Sequence, residues 1–124
     1  MEKATSVVVL VQDLFFAVRL SDVLHTLGYR GLTVQSEKKL QDTLSKERPR
    51  LIILDLQALG IRPEAVVSAA RAAAAGRPIP VLAFGPHTDA KRRTDAMAAG
   101  CQRVVPKSMI VTELPQLVKS MLRL

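Results

Sequence analysis

A doubly wound α/β fold, one parallel sheet with helices on both faces, is what this sequence predicts. Three observations carry that reading. The apolar runs Val7-Val8-Val9-Leu10-Val11 and Leu51-Ile52-Ile53-Leu54 are continuous rather than alternating, as strands covered on both faces must be. Segments with apolar residues at helical spacing alternate with such runs across short loops. Two aspartates, Asp13 and Asp55, close the two runs, which brings both carboxylates to the rim where open α/β sheets bind ligands.

The first strand is expected over Thr5 to Gln12. Ala17, Leu20, Leu24 and Leu27 then recur at helical spacing, and Gly28 stops that helix. A short strand follows at Leu32-Thr33-Val34. Ser36 can cap a second helix carrying Leu40 and Leu44, which Arg48-Pro49 ends because the residue before proline is pushed out of the α region. The strand closed by Asp55 leads through Gly60 to a third helix that Pro63 can start and Gly76 can close, with Val66, Val67 and an alanine-rich body. A fourth strand is expected from Ile79 to Phe84, then a helix capped by Thr88 or Asp89 and stopped at Gly100. The last strand, Arg103-Val104-Val105, precedes a helix with Thr112 as its cap and Leu114, Leu117, Val118 and Met121 on its apolar side.

Composition bounds the function. With 124 residues the chain is expected to form one domain over its whole length, and a hydrophobic fraction of 48% supports an aliphatic core. Aromatic residues make up 3% with no Trp, which leaves little from which to build base-stacking platforms. The single cysteine, Cys101, excludes an internal disulfide and any multi-cysteine metal site, and points to a cytoplasmic setting. No segment is long enough to span a membrane, and the N-terminal run lacks the flanks of a signal peptide. A net charge of +7 suggests an acidic partner, yet the basic residues are scattered and only Lys91-Arg92-Arg93 forms a run. Nucleic acid is therefore disfavoured as a partner.

With these elements in order, the chain resembles the receiver domains of two-component response regulators, whose flavodoxin-like fold has the strand order 2-1-3-4-5. The resemblance covers nearly the whole chain. In that family an acidic pair follows the first strand, a phospho-accepting Asp ends the third, a Ser or Thr ends the fourth, and a Lys follows the fifth. Gln12-Asp13 stands here for the acidic pair, Asp55 for the acceptor, Gly85 for the hydroxyl residue, Val104 for the switching aromatic and Lys107 for the lysine. The resemblance implies Mg²⁺ held by Asp13, Asp55 and the Gln57 carbonyl. The replacement of an acid by Gln12 implies that this binding is weakened or lost.

Gly85 has no hydroxyl for a phosphoryl group, and without an aromatic at Val104 the family's relay cannot run in its usual form. The proline that usually follows the lysine precedes it here as Pro106, with Ser108 after it. The expected function is a stand-alone receiver-like interaction module rather than an enzyme, whether phosphoryl-accepting or a pseudo-receiver independent of phosphorylation. A small flavodoxin-like domain binding nucleotide or flavin is the alternative, although no strand is followed by a glycine-rich phosphate cradle.

A histidine kinase or effector protein is the implied partner. Docking or homodimerisation is expected through the face of the fourth helix, fifth strand and fifth helix, where Lys91, Arg92, Arg93, Arg103 and Lys119 are partly countered by Asp89, Asp95 and Glu113. His87 is read as a loop surface residue, with a phosphate contact as the alternative, and His25 as an outward-facing one. Of Phe15-Phe16, one ring is expected in the core and the other over the helix start; Cys101 is read as a small core residue.

Overall fold

The computed structural model describes residues 5–73 and 77–122. Five strands, β1 (Ser6–Leu10), β2 (Arg30–Val34), β3 (Leu51–Asp55), β4 (Val81–Gly85) and β5 (Arg103–Pro106), alternate with α1 (Leu14–Thr26), α2 (Glu37–Lys46), α3 (Pro63–Ala73), α4 (Ala90–Ala99) and α5 (Lys107–Leu122). All strand pairs are parallel, in the order β2-β1-β3-β4-β5. This is the fold and the order that the sequence predicts.

The period-two geometry of the strands divides the core into two layers. Val7, Val9, Leu51, Ile53, Leu82 and Phe84 pack under α1 and α5, while Val8, Leu10, Ile52, Leu54, Val81 and Ala83 pack under α2, α3 and α4. Each such Val, Leu or Ile contributes about 1.5–3 kcal/mol of burial free energy. That apolar surface explains why three central strands can carry almost no polar residue.

The caps show how local chemistry sets the helix starts. Asp13 accepts from the Phe16 amide at 3.2 Å, Ser36 from Lys39 at 3.0 Å and Asp89 from Arg92 at 3.1 Å. Of the two candidates at α4, Asp89 is the cap and Thr88 is not. Gly100 ends α4 in the left-handed region at φ 110°, where a Cβ would stand 3.0 Å from Val67 Cγ1. Gly76, expected to close α3, lies outside the described residues.

Four of the boundaries that differ from the sequence reading are the largest shifts. β1 ends at Leu10, so Asp13 stands three residues beyond the strand as a helix cap. β2 begins at Arg30, because Arg30 donates to Thr5 O at 2.8 Å and extends the ladder past its less apolar start. β4 begins at Val81 rather than Ile79, since Pro78 and Pro80 have no N–H to donate. α5 begins at Lys107, well before Thr112, and is broken at Glu113 (φ −124°, ψ 17°) ahead of Pro115. Thr112 is not its cap: the hydroxyl donates to Ser108 O at 3.1 Å inside the first segment. The expected apolar side of the second segment, Leu114, Leu117, Val118 and Met121, is buried.

Candidate functional site

Parallel pairing carries the ends of β1 and β3 to the same rim, and the loops after them hold the acids. Asp55, the last residue of β3, is 8% exposed, one of two buried polar or charged residues among those described. Its Oδ1 accepts from the Gln57 amide at 2.9 Å. Burial pushes its pKa up, the Gln57 N–H and the Lys107 ammonium pull it down, and the negative charge of Asp13 pushes it up again. Asp13, Asp55 and Lys107 therefore share one electrostatic neighbourhood, as their places in the sequence suggest.

Lys107 opens α5, with Nζ 4.5 Å above the centre of the Phe16 ring. Phe16 packs in turn against Phe84 of β4, centroids 5.5 Å apart. The buried ring of the Phe pair thus positions the cation. Phe15 points outward, 88% exposed, and lines a cleft of about 480 Å³ with Asp13, Phe16, Lys107, Ser108 and Val111.

Gln12 has a role that the sequence did not disclose. Its amide clamps the loop after β3: Nε2 donates to Leu59 O at 2.7 Å, and Oε1 accepts from Leu59 N–H at 2.8 Å. Nε2 also reaches Gln35 O at 3.3 Å, while Gln35 Nε2 donates to Gln12 O at 3.4 Å. A carboxylate could accept from Leu59 but not donate to it. Gln12 thus makes a two-way tie that a carboxylate could not.

The same loop is held from the other side by Arg92, whose Nη1 donates to Leu56 O at 3.0 Å while Nε lies 3.3 Å from Asp89. Arg62, beyond the loop, binds Glu37 through its backbone N–H at 2.8 Å and its guanidinium, and these bonds hold the Glu37 carboxyl below the usual range. The ties of Arg92 to Leu56, Gln12 to Leu59 and Arg62 to Glu37 have no local sequence signal, since the partners are 36, 47 and 25 residues apart.

The remaining candidates separate. Gly85 ends β4 beside Pro106, and an added Cβ would meet nothing closer than Leu56 Cδ1 at 3.5 Å. Val104 is half-buried on β5. His87 and His25 are exposed, and His87 forms no hydrogen bond or ion pair among the described residues. Cys101 is buried in the core, which pushes its thiol up to about 11. On the fourth-helix face, Lys91 pairs with Asp95 at 3.0 Å, and Arg92 and Arg93 turn back to Leu56 O and Pro86 O. Arg103 and Lys119 are exposed.

Among the described residues no group of three His, Cys, Asp or Glu comes together. The acidic oxygen donors at the rim are the Asp13 and Asp55 carboxylates, whose charges act on one another. Two carboxylates with further oxygens fit Mg²⁺, which is commonly held by one or two carboxylates plus water and phosphate. Gln12 is not a free ligand, because both of its amide atoms are engaged. No helix among the described residues is long and apolar enough to cross a membrane.

No family model matches the sequence, and no curated protein matches it. Solved structures match the fold. A candidate response regulator from Chloroflexus aurantiacus has a TM-score of 0.83 at 22% identity, covering 98% of this chain and 100% of that one. The receiver domain of a sensor histidine kinase from Pseudomonas aeruginosa, with a magnesium ion coordinated in its active-site cleft, has a TM-score of 0.83 at 17% identity over 98% and 100% of the two chains. The receiver domain of NtrX from Brucella abortus has a TM-score of 0.79 at 17% identity over 95% and 98%. Against longer NtrX structures from that organism, this chain spans 27% of their length. The fold is that of response-regulator receiver domains.

Proposed function

We propose that this chain is a receiver module of two-component signalling, with Asp55 as its phosphoryl acceptor. One observation carries the reading: a buried carboxylate at the end of the central strand β3 feels both the Asp13 charge and the Lys107 ammonium. An acid that only ended a strand would not need a second acid and a cation converging on it.

In the proposed reaction one Asp55 oxygen attacks the phosphorus of a phosphohistidine on a partner kinase. A P–O bond forms to the carboxylate, the P–N bond breaks, and the imidazole leaves with the electron pair. The Gln57 N–H holds Oδ1 at 2.9 Å, which fixes the carboxylate plane. Lys107, supported by the Phe16 face, meets the charge added to the rim. A bound Mg²⁺ supplies charge neutralisation at the phosphoryl oxygens, and Asp13, Asp55 and Gln57 are the residues that would hold it. Gly85 contributes no hydroxyl, so the acyl phosphate lacks a hydrogen bond worth about 1.5–3 kcal/mol.

A pseudo-receiver that binds its effector without phosphorylation is the second reading. It is favoured by the engagement of Gln12 with Leu59, which leaves the rim one acid short. Docking or homodimerisation through α4, β5 and α5 belongs to either reading. The nucleotide or flavin alternative draws no support from the loops, where Gly60 and Gly85 stand alone.

Incubation with acetyl phosphate and Mg²⁺, followed by intact-mass measurement, separates the readings. A slowly formed phosphoryl adduct that is absent from Asp55→Asn supports the first. No adduct at saturating donor, or one that survives Asp55→Asn, overturns it.

A further inference from the structure

We infer that the pole of the sheet opposite the acids is a docking surface for the phosphate backbone of duplex nucleic acid. The cations that look scattered in the sequence are assembled there by the fold. Register sets Arg30 of β2 level with Ser6 of β1, and the Arg50 amide donates to Ser6 O at 2.9 Å. Because β2 and β3 flank β1, these two arginines stand two strand spacings apart, about 10 Å. Beside them, Lys46, Arg48 and Arg77 line one cleft of about 370 Å³ between the end of α2 and the approach to β4.

Among the described residues the only carboxylate in that cleft is Glu47, which Arg30 occupies at 2.6 Å. Among the described residues, Lys46, Arg48 and Arg77 stand against that single carboxylate in the cleft, with Arg30 and Arg50 on the adjoining strand starts. Lys46 sits in the last turn of α2, where a cation complements the helix dipole. The other four lie on strand starts and loops, so the dipole does not account for them.

The character of the surface selects the partner. The exposed large apolar residues, Leu14, Phe15, Val18, Leu59, Met97 and Val111, lie on α1, the loop after β3, α4 and α5, and none lies in the cleft. A protein interface is built around an apolar centre, whereas nucleic-acid interfaces are more polar and far more positive. Four of the five cations are arginines, whose planar fork matches phosphate oxygens in pairs. A concave floor admits a ridge of phosphates better than a flat bilayer surface. The scarcity of aromatic residues argues against stacking on single strands but not against contacts to a duplex backbone.

The test is anisotropy of a fluorescein-labelled duplex DNA of ~20 base pairs and arbitrary sequence. Lys46, Arg48, Arg50 and Arg77, which form no ion pair among the described residues, give an expected slope of about −3.6 in log K against log salt, or about 150-fold weaker binding between about 50 and 200 mM salt. Arg48→Glu/Arg77→Glu should bind on the order of 200-fold more weakly at about 50 mM salt. The control Arg19→Glu/Lys38→Glu makes the same change in net charge elsewhere and should keep most of the affinity. Arg48→Gln/Arg77→Gln serves if the reversed variant fails to fold by circular dichroism, and should also lose affinity. The inference is overturned if wild type does not bind the duplex at about 50 mM salt, or if both double variants lose affinity equally. It is overturned as well if phosphatidylserine vesicles or a poly-glutamate peptide bind as tightly as the duplex. None of these outcomes depends on whether Asp55 accepts phosphate.

Discussion

Replacing Gln12 tests whether its amide is a structural clamp. Gln12→Ala removes the donor to Leu59 O (2.7 Å), the acceptor of Leu59 N–H (2.8 Å) and the weaker contact to Gln35 O (3.3 Å). Each neutral hydrogen bond is worth about 0.5–1.5 kcal/mol net, and water can replace part of it at this half-buried site. A total cost of about 1–2 kcal/mol follows. With an unfolding entropy near 2.1 cal/mol/K per residue, the chain loses about 4 °C of melting temperature per kcal/mol, so a fall of about 4–8 °C is expected by calorimetry near neutral pH.

Gln12→Glu sharpens the test. The ionised side chain keeps the bond from Leu59 N–H but turns an acceptor toward Leu59 O, so it should fall between Ala and wild type. Protonated, it donates again. The native state then holds the proton of the introduced carboxyl more tightly than the unfolded chain does, so stability relative to wild type falls as pH rises through the carboxylate range and recovers in acid. A Gln12→Ala protein melting within about 1 °C of wild type, or a Gln12→Glu deficit that ignores pH, refutes the clamp.

Three further outcomes are expected. Burial raises the Asp55 pKa from its ordinary value of 3.8, so the native state binds the proton more tightly and ionisation opposes folding; Asp55→Asn should melt higher than wild type at neutral pH, with the gap closing as pH falls from the raised native value toward 3.8 and gone below it. Gly100→Ala should cost about 1–3 kcal/mol, because its φ of 110° and a Cβ 3.0 Å from Val67 Cγ1 both resist a side chain, whereas Gly85→Ser should melt like wild type, with 3.5 Å of clearance to Leu56, and label more fully with acetyl phosphate.

The fold was legible because burial on both faces leaves an unmistakable trace: Val7 to Val11 and Leu51 to Leu54 admit no exposed residue. Ser36, Asp13, Asp89, Pro63 and Gly100 act within three residues of their partners, which is the range over which a sequence can be read directly. The acids and Lys107 were legible because each stands at or just beyond a strand end. Gln12 was not. Its letter suggested only a missing charge, while its role depends on Leu59, 47 residues away. Arg92 likewise reads as one cation in a basic run, yet its guanidinium holds Leu56 O across 36 residues. Neither the break in α5 ahead of Pro115 nor the extra turn from Lys107 to Thr112 was read from the sequence, and for the latter Met109-Ile110-Val111 fits strand and helix equally well.

The anchoring of the loop after β3 bears on the order in which the molecule is made. Its ties to Gln12 and Arg92 close long stretches of chain, and contacts of high sequence separation form late because their loop entropy is lost before they reward it. On the ribosome, residues 12 to 59 can emerge and pair while residue 92 has yet to be synthesised. The acidic rim is therefore among the last parts of the domain to take its final shape, and a chain stalled before α4 would carry Asp55 without the geometry around it.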